Sequence, residues 1–302
     1  MSRQIVYLSP SRVGTRESCP RMYYYQYVLK WRPAAQSATL LYGSAIHTAI
    51  ESVLYAQAVG RQIDGGHSFV NAWHESIAAV SVNYSDGWDE NSLKECGLRS
   101  MAEFQIRWTE SGNQPFLDKR GAPVIERAIA VDVGQGVILR MKLDALVITP
   151  ELKVEIIDWK TPRNPSPEGY VLVADQTLAY QMGVEAIGDE LGLDKIDGVG
   201  FVELFKKKRG AEVCFQQHAT RRPNSQVDEF VTKLHWTANE IRNNYYPRKA
   251  GMAFNSSCSL CTFVNHCHNG TFEGINMDSV KSSMEDEKGK ALTLVPTIDI
   301  AA

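Results

Sequence analysis

Asp158 and Lys160, two residues apart in the run KVEIIDWK, carry the sharpest chemical signal in the sequence. On a strand, alternate residues share a face, so the carboxylate and the ammonium project together while Trp159 points the other way. Asp144 belongs to the preceding run, MKLDALVI, one short hairpin away. Pairing the two runs brings both carboxylates within reach of one divalent cation. Hard oxygen donors of this kind suit Mg2+ or Mn2+. A lysine beside them can hold a phosphate oxygen or assist a water nucleophile. Together these groups are equipment for hydrolysing a phosphodiester. A lone D-x-K is more often a solvated surface pair. The flanking Val154, Ile156 and Ile157 argue for a buried strand, however, and burying an aspartate without a partner is costly.

Two further features converge on this pair. Gln176 and Tyr180 lie four apart on the following helix, hence on one face, where they could hold DNA phosphate, fix the lysine or simply pack. His47 opens a helix after Gly43 and offers an imidazole as a further cation ligand; the plain alternative is a core histidine. Of six cysteines, Cys258, Cys261 and Cys267 fall within ten residues, a spacing suited to a metal centre. Spacing alone leaves zinc, with His266 or His268 as fourth ligand, and iron–sulfur equally open. Cys96 and Cys214 read as small buried hydrophobes. Lys206, Lys207, Lys208 and Arg209 form a basic turn that could meet a phosphate backbone. Arg21 with Tyr23, Tyr24, Tyr25 and Tyr27 mixes charge and aromatic faces, suited to stacking single strands or to core packing.

These residues need elements to position them. The chain has 302 residues, 44% hydrophobic and 22% charged, with net charge -3, which excludes a disordered, collagenous or histone-like protein. No apolar run approaches the roughly 18 residues of a membrane span, and the first residues have no apolar signal core, so a cytoplasmic location is expected. Helical periodicity dominates residues 1–120. From about 121 to 220 the pattern becomes strands: a hairpin turning at Gly134–Gly136, the run to Lys160, an amphipathic helix near 171–188, then two strands joined by the basic turn. Helix returns over 224–246, the cysteine segment follows, and 276–302 reads as a flexible tail. The order implies an α/β sheet core with helical additions. No G-x-x-x-x-G-K-[ST] motif supplies an ATP motor.

In order and spacing, SRVGTRESCPRMYYYQYVL, LYGSAIHTAIE, MKLDALVI, EIIDWKT, QTLAY and CSLCTFVNHC resemble the PD-(D/E)XK nuclease superfamily, and within it the RecB-like and CRISPR-associated iron–sulfur exonucleases. The likeness runs from about Leu8 to Cys267. It implies a restriction-endonuclease-like mixed sheet core with an N-terminal helical region and a C-terminal iron–sulfur segment, as one nuclease domain over 1–275. It implies His47, Asp144, Asp158 and the Trp159 carbonyl as ligands of Mg2+ or Mn2+, Lys160 as the catalytic lysine, and Gln176 and Tyr180 as the Q-x-x-x-Y element supporting the site. Leu143 replaces the motif proline, and Asp158 takes the D/E position. Cys19 becomes the fourth ligand of a [4Fe–4S] cluster with Cys258, Cys261 and Cys267, structural Zn2+ being the alternative. The activity implied is a metal-dependent deoxyribonuclease acting on single-stranded DNA ends in recombination, repair or CRISPR-type processing. Helicase or recombination proteins are the implied partners, with the oligomeric state open. The competing readings are a non-cleaving DNA-binding adaptor subunit and an endonuclease of the same superfamily.

Overall fold

Alternating apolar residues over Val137–Ile148 build the longest strand of the sheet, and the other elements are arranged about it. The computed structural model describes residues 4–85, 87–249 and 256–282, with the backbone alone over 215–220 and at 260. In chain order come β1 (Val6–Leu8), α1 (Pro10–Ser18) and α2 (Pro20–Tyr23), the last running into a π-helical turn over Tyr24–Val28. Then follow β2 (Gln36–Ser37), α3 (Ala38–Ala58), α4 (Gly65–Ala78), β3 (Val82–Asn83) and α5 (Glu90–Ser111). The sheet region is β4 (Gln114–Pro115), β5 (Ile125–Asp132), β6 (Val137–Ile148) and β7 (Val154–Lys160), then α6 (Tyr170–Val173), α7 (Asp175–Ala186), α8 (Gly188–Leu191), β8 (Gly198–Leu204) and β9 (Val213–Thr220). Helices α9 (Asn224–Arg242) and α10 (Val264–Asn269) follow. No helix among the described residues is long and apolar enough to cross a membrane.

The chain divides into two compact units, where the sequence suggested one domain over 1–275. The first comprises Met1–Ser11 with Gln36–Asn243, the second Arg12–Ala35 with Asn244–Ala302. In the first, a mixed sheet runs in the order β1-β6-β7-β8-β9, with β4 and β5 also on β6. The β5–β6 and β6–β7 pairs are antiparallel, while β1–β6 and β7–β8 are parallel. Sheet residues such as Ala145, Val147, Ile157 and Trp159 join the core built by α3, α4 and α5. Helix α7 lies so close to β6 that a Cβ at Gly183 would stand 2.3 Å from the Met141 sulfur. Alternation thus sorts one side of β7 into the core and turns Asp158 and Lys160 to the other.

The N-terminal helices owe their packing to one close approach. Gly97 of α5 lies against the Phe69 ring of α4, and a Cβ there would fall 2.0 Å from the ring. Phe69 is fully buried and has nowhere to swing. Gly97→Ala is therefore expected to destabilise the first unit by about 2 kcal/mol or more, the scale of overpacking, read as a lower melting temperature.

In the second unit, Tyr25, Trp31, Phe263, Ile275 and Val280 form a small buried cluster. Of the tail expected over 276–302, residues 277–282 are helical with Val280 buried, and residues 283–302 lie outside the described residues. The amphipathic helix expected near 171–188 is broken at Ala174 into α6 and α7, because that residue is extended, at φ -69 and ψ 125.

Candidate active site

The β6–β7 ladder runs from Ile148 opposite Val154 to Ala145 opposite Ile157, and there it stops. The next pair in that register is Asp144 and Asp158, so the two carboxylates occupy the fork where the strands part. On the other edge of β6, Ile125 faces Ala145 and Arg127 faces Leu143, which sets Glu126 beside Asp144. A row of three carboxylates therefore crosses three neighbouring strands. Glu126 is held at φ +50, a left-handed conformation uncommon for a residue other than glycine and rarer still within a strand.

Asp144 is anchored by the Trp159 backbone N–H, which donates to its Oδ2 at 2.9 Å. His47, from α3, brings Nδ1 to 3.4 Å from the same oxygen and 3.9 Å from Glu126 Oε1. The ligand atoms of His47, Glu126 and Asp144 all lie within 4.8 Å of one another. Asp158 is fully buried and heavily bonded at Oδ1, where Gln176 Nε2 donates at 3.0 Å and the Tyr180 hydroxyl at 3.1 Å. Its Oδ2 has Lys160 Nζ at 2.6 Å but outside hydrogen-bonding geometry, so charge rather than an aligned bond holds it. Lys160 is fixed by a 2.8 Å bond from its Nζ to Gln176 Oε1, and Gln176 Nε2 also reaches the Tyr180 oxygen at 2.7 Å. Gln176 thus ties lysine, carboxylate and tyrosine together from one helix face. Trp159 turns its ring into the core, with centroids 5.6 Å from Phe104 and 5.7 Å from Trp108.

The electrostatics follow from burial of like charges. Burial, with the Asp144 charge added, pushes the Asp158 carboxyl up to about 6 despite the opposing pull of Lys160 and His47. Burial pulls His47 down, yet the hydrogen bond and charge of Asp144, with Asp158 and Glu126, outweigh it and leave the imidazole more basic than usual. Tyr180 is pushed upward by burial and by the two aspartates. Negative charge is in surplus here, and a buried oxygen stands without an aligned donor. Both are what a divalent cation relieves, and the O,O,N donor set fits Mg2+ or Mn2+.

His47, Asp144, Asp158, Trp159, Lys160, Gln176 and Tyr180 all line one cavity of about 500 Å³. A family model described as the PD-(D/E)XK nuclease superfamily matches residues 7–268. The chain belongs to the PD-(D/E)XK nuclease superfamily. Members of this superfamily are metal-dependent nucleases, and the mixed sheet flanked by helices is consistent with its restriction-endonuclease-like fold. Among curated proteins none matches the sequence. A solved structure, "Crystal structure of SSO0001", aligns with 78% of this chain and 87% of its own at 13% identity and a TM-score of 0.31, too loose a likeness to bear on function.

Four predicted site residues lie elsewhere, in the second unit. Cys19, Cys258, Cys261 and Cys267 line a cavity of about 20 Å³ together with His268. Among the described residues, no three thiols come within 4.8 Å of one another. Burial, with the other three thiols adding to it, raises the Cys261 thiol above its ordinary range. His266 does not line that cavity; its ring packs 4.8 Å from Trp31 and 4.6 Å from Phe272. The basic turn is largely engaged within its own unit. Lys206 donates to the Thr161 carbonyl, Lys207 pairs with Glu212, and Lys208 lies 3.9 Å over the Trp88 ring. Arg209 is exposed.

Glu126 is the site residue that motif reading passes over, although counting pairs back from the Gly134–Gly136 turn places it opposite Asp144. Its carboxylate also pairs with Lys142, and burial with the Glu126 charge added raises the Glu51 carboxyl. A strained backbone beside clustered ligands argues that the superfamily site uses this side chain. Glu126→Gly is expected to act in two opposite directions. Without cation, glycine relieves about 1 kcal/mol of left-handed strain and raises the melting temperature by about 2 °C. Mn2+ affinity, measured calorimetrically, falls by about tenfold or more. Unchanged Mn2+ binding removes Glu126 from the cation site.

Proposed function

We propose that this superfamily member is an exonuclease of the RecB-like iron–sulfur branch, acting on single-stranded DNA ends. The observation that carries the nuclease reading is the convergence of Asp144, Asp158 and Lys160 on one open cavity, with His47 beside them. His47, Asp144, Asp158 and the Trp159 carbonyl would hold a divalent cation, which would supply Lewis-acid stabilisation of charge gathering on the scissile phosphate. Lys160, oriented by Gln176, then holds a phosphate oxygen and steers the attacking water. Tyr180 and Gln176 keep Asp158 aimed while it is ionised. Nothing in this arrangement reads base edges, so little sequence preference is expected.

The iron–sulfur reading rests on donor chemistry. Four cysteines from two distant segments surround one cavity, the ligand set of a [4Fe–4S] cluster held by Cys19, Cys258, Cys261 and Cys267. Thiolates around tetrahedral zinc sit about 3.8 Å apart, as Zn–S bonds of about 2.3 Å require. Among the described residues no three thiols meet that spacing, and structural zinc stays the alternative. Such an enzyme would serve recombination, repair or CRISPR-type processing, taking its free single strand from a helicase or recombination protein.

The test is cleavage of end-labelled linear single-stranded DNA with Mn2+, beside EDTA and beside circular single strands. Stepwise shortening of the linear strand alone, abolished by EDTA, is the expected result. Cutting of circles makes the protein an endonuclease, and binding without cutting makes it an adaptor.

A further inference from the structure

In the second unit, Tyr245 and Tyr246 follow Asn244, whose φ of +50 turns the chain sharply after α9. Arg16 fixes this segment twice: its guanidinium donates to the Tyr245 carbonyl at 2.7 Å and lies 5.3 Å over the Tyr246 ring. Tyr246 is buried against Tyr23, stacked at 6.2 Å, and Tyr24, tilted at 5.0 Å. Tyr245, by contrast, is 57% exposed. Arg21, Tyr24, Asn244, Tyr245, Tyr246 and Pro247 bound a cavity of about 480 Å³. Arg21 lies 5.9 Å from the Tyr24 ring, and its Nε is buried without a partner among the described residues.

An arginine without a carboxylate partner among the described residues asks for an anion, and an exposed aromatic face asks for a flat apolar surface. A nucleotide offers both in one unit. We propose that this cavity holds a nucleotide of single-stranded DNA, its base stacked on Tyr245 and its phosphate on Arg21. The assignment rests on the single-strand reading above and adds a holding site within the second unit. Rigid backing by Arg16 and Tyr246 means that little order need be gained on binding. Since any base has a π-face, the grip tolerates every sequence, as a nuclease without base readout requires.

The experiment is fluorescence anisotropy of a short fluorescein-labelled oligothymidylate with the full chain, in EDTA so that nothing is cut. Tyr245→Ala is expected to weaken binding between about 5- and 150-fold, the range of one lost base stack, whereas Tyr245→Phe keeps the parent affinity. Arg21→Gln lowers affinity and reduces the slope of log K against log salt by about 0.7, one phosphate contact on a single strand. If the parent binds but Tyr245→Ala and Arg21→Gln bind equally well, the cavity is not the site while the single-strand reading stands. If the parent itself fails to bind, both fall. Weakening by Tyr245→Phe as great as by Tyr245→Ala would also overturn the stacking role.

Discussion

Asp158→Asn is expected to abolish cleavage and, in cation-free buffer near pH 8, to make the protein more stable than its parent. The two effects share one cause. Asp158 is buried beside Asp144, and burial with that neighbouring charge lifts its carboxyl to about 6 from the ordinary 3.8. The folded state therefore binds its proton more tightly than the unfolded state does. Stability linked to that proton is fully present below about pH 4 and is lost as pH rises through about 6. Two pKa units correspond to about 3 kcal/mol, an upper bound because Lys160 loses its charged partner in the variant. Asparagine keeps the shape and an acceptor for Gln176 and Tyr180 but carries no charge to bury. The melting-temperature gap between variant and parent should thus be near zero at pH 4 and open to about 5 °C by pH 8. Activity should fall by about 10³-fold or more, since a cation ligand acting on the reacting phosphate is worth several kcal/mol. A variant that cuts at a tenth of the parent rate, or whose stability gap is flat with pH, contradicts this account of the site.

The legibility of this site in the sequence has a physical basis. Period-two alternation put Asp158 and Lys160 on one face and Trp159 on the other, because strand geometry leaves no alternative. The helical spacing of Gln176 and Tyr180 likewise needed only local geometry, and the structure joins both to Asp158. Glu126 was missed for a different reason. Its partnership with Asp144 depends on the register of a hairpin, which is readable only by counting from the turn, and its left-handed backbone has no sequence signal at all. The parallel pairing of β1 with β6 was equally hidden, since three residues carry no period. The division into two units interleaves the two ends of the chain, and no linker composition marks it. The broken helix at Ala174 shows the converse limit, a periodic apolar pattern continuing across a residue that is not helical.

Cys261→Ser is the second change with a large expected effect, and it falls on the second unit. That unit is assembled from segments at the two ends of the sequence, and its buried apolar cluster has five members among the described residues. A core that small leaves a fold dependent on a covalent or metal staple. Four thiols around one cavity are the available staple, and burial with the neighbouring sulfurs leaves the Cys261 thiol less willing to ionise without a metal. Binding energy released on loading such a centre becomes folding energy, because the ligands are not gathered in the unfolded chain. Protein purified without oxygen should therefore carry about four irons per chain with broad absorbance near 400 nm (both expected of a [4Fe–4S] centre). The serine variant should lose iron and colour together, and its second unit should melt about 10 °C or more below the parent, followed by proteolysis of residues 12–35. Cys214→Ser, outside the cavity, is the control and should keep its iron. Zinc in place of iron at one per chain would replace the cluster with a structural zinc. Parent protein with neither metal, melting just as the serine variant does, would leave the four thiols without a metal role and the small core standing on its own.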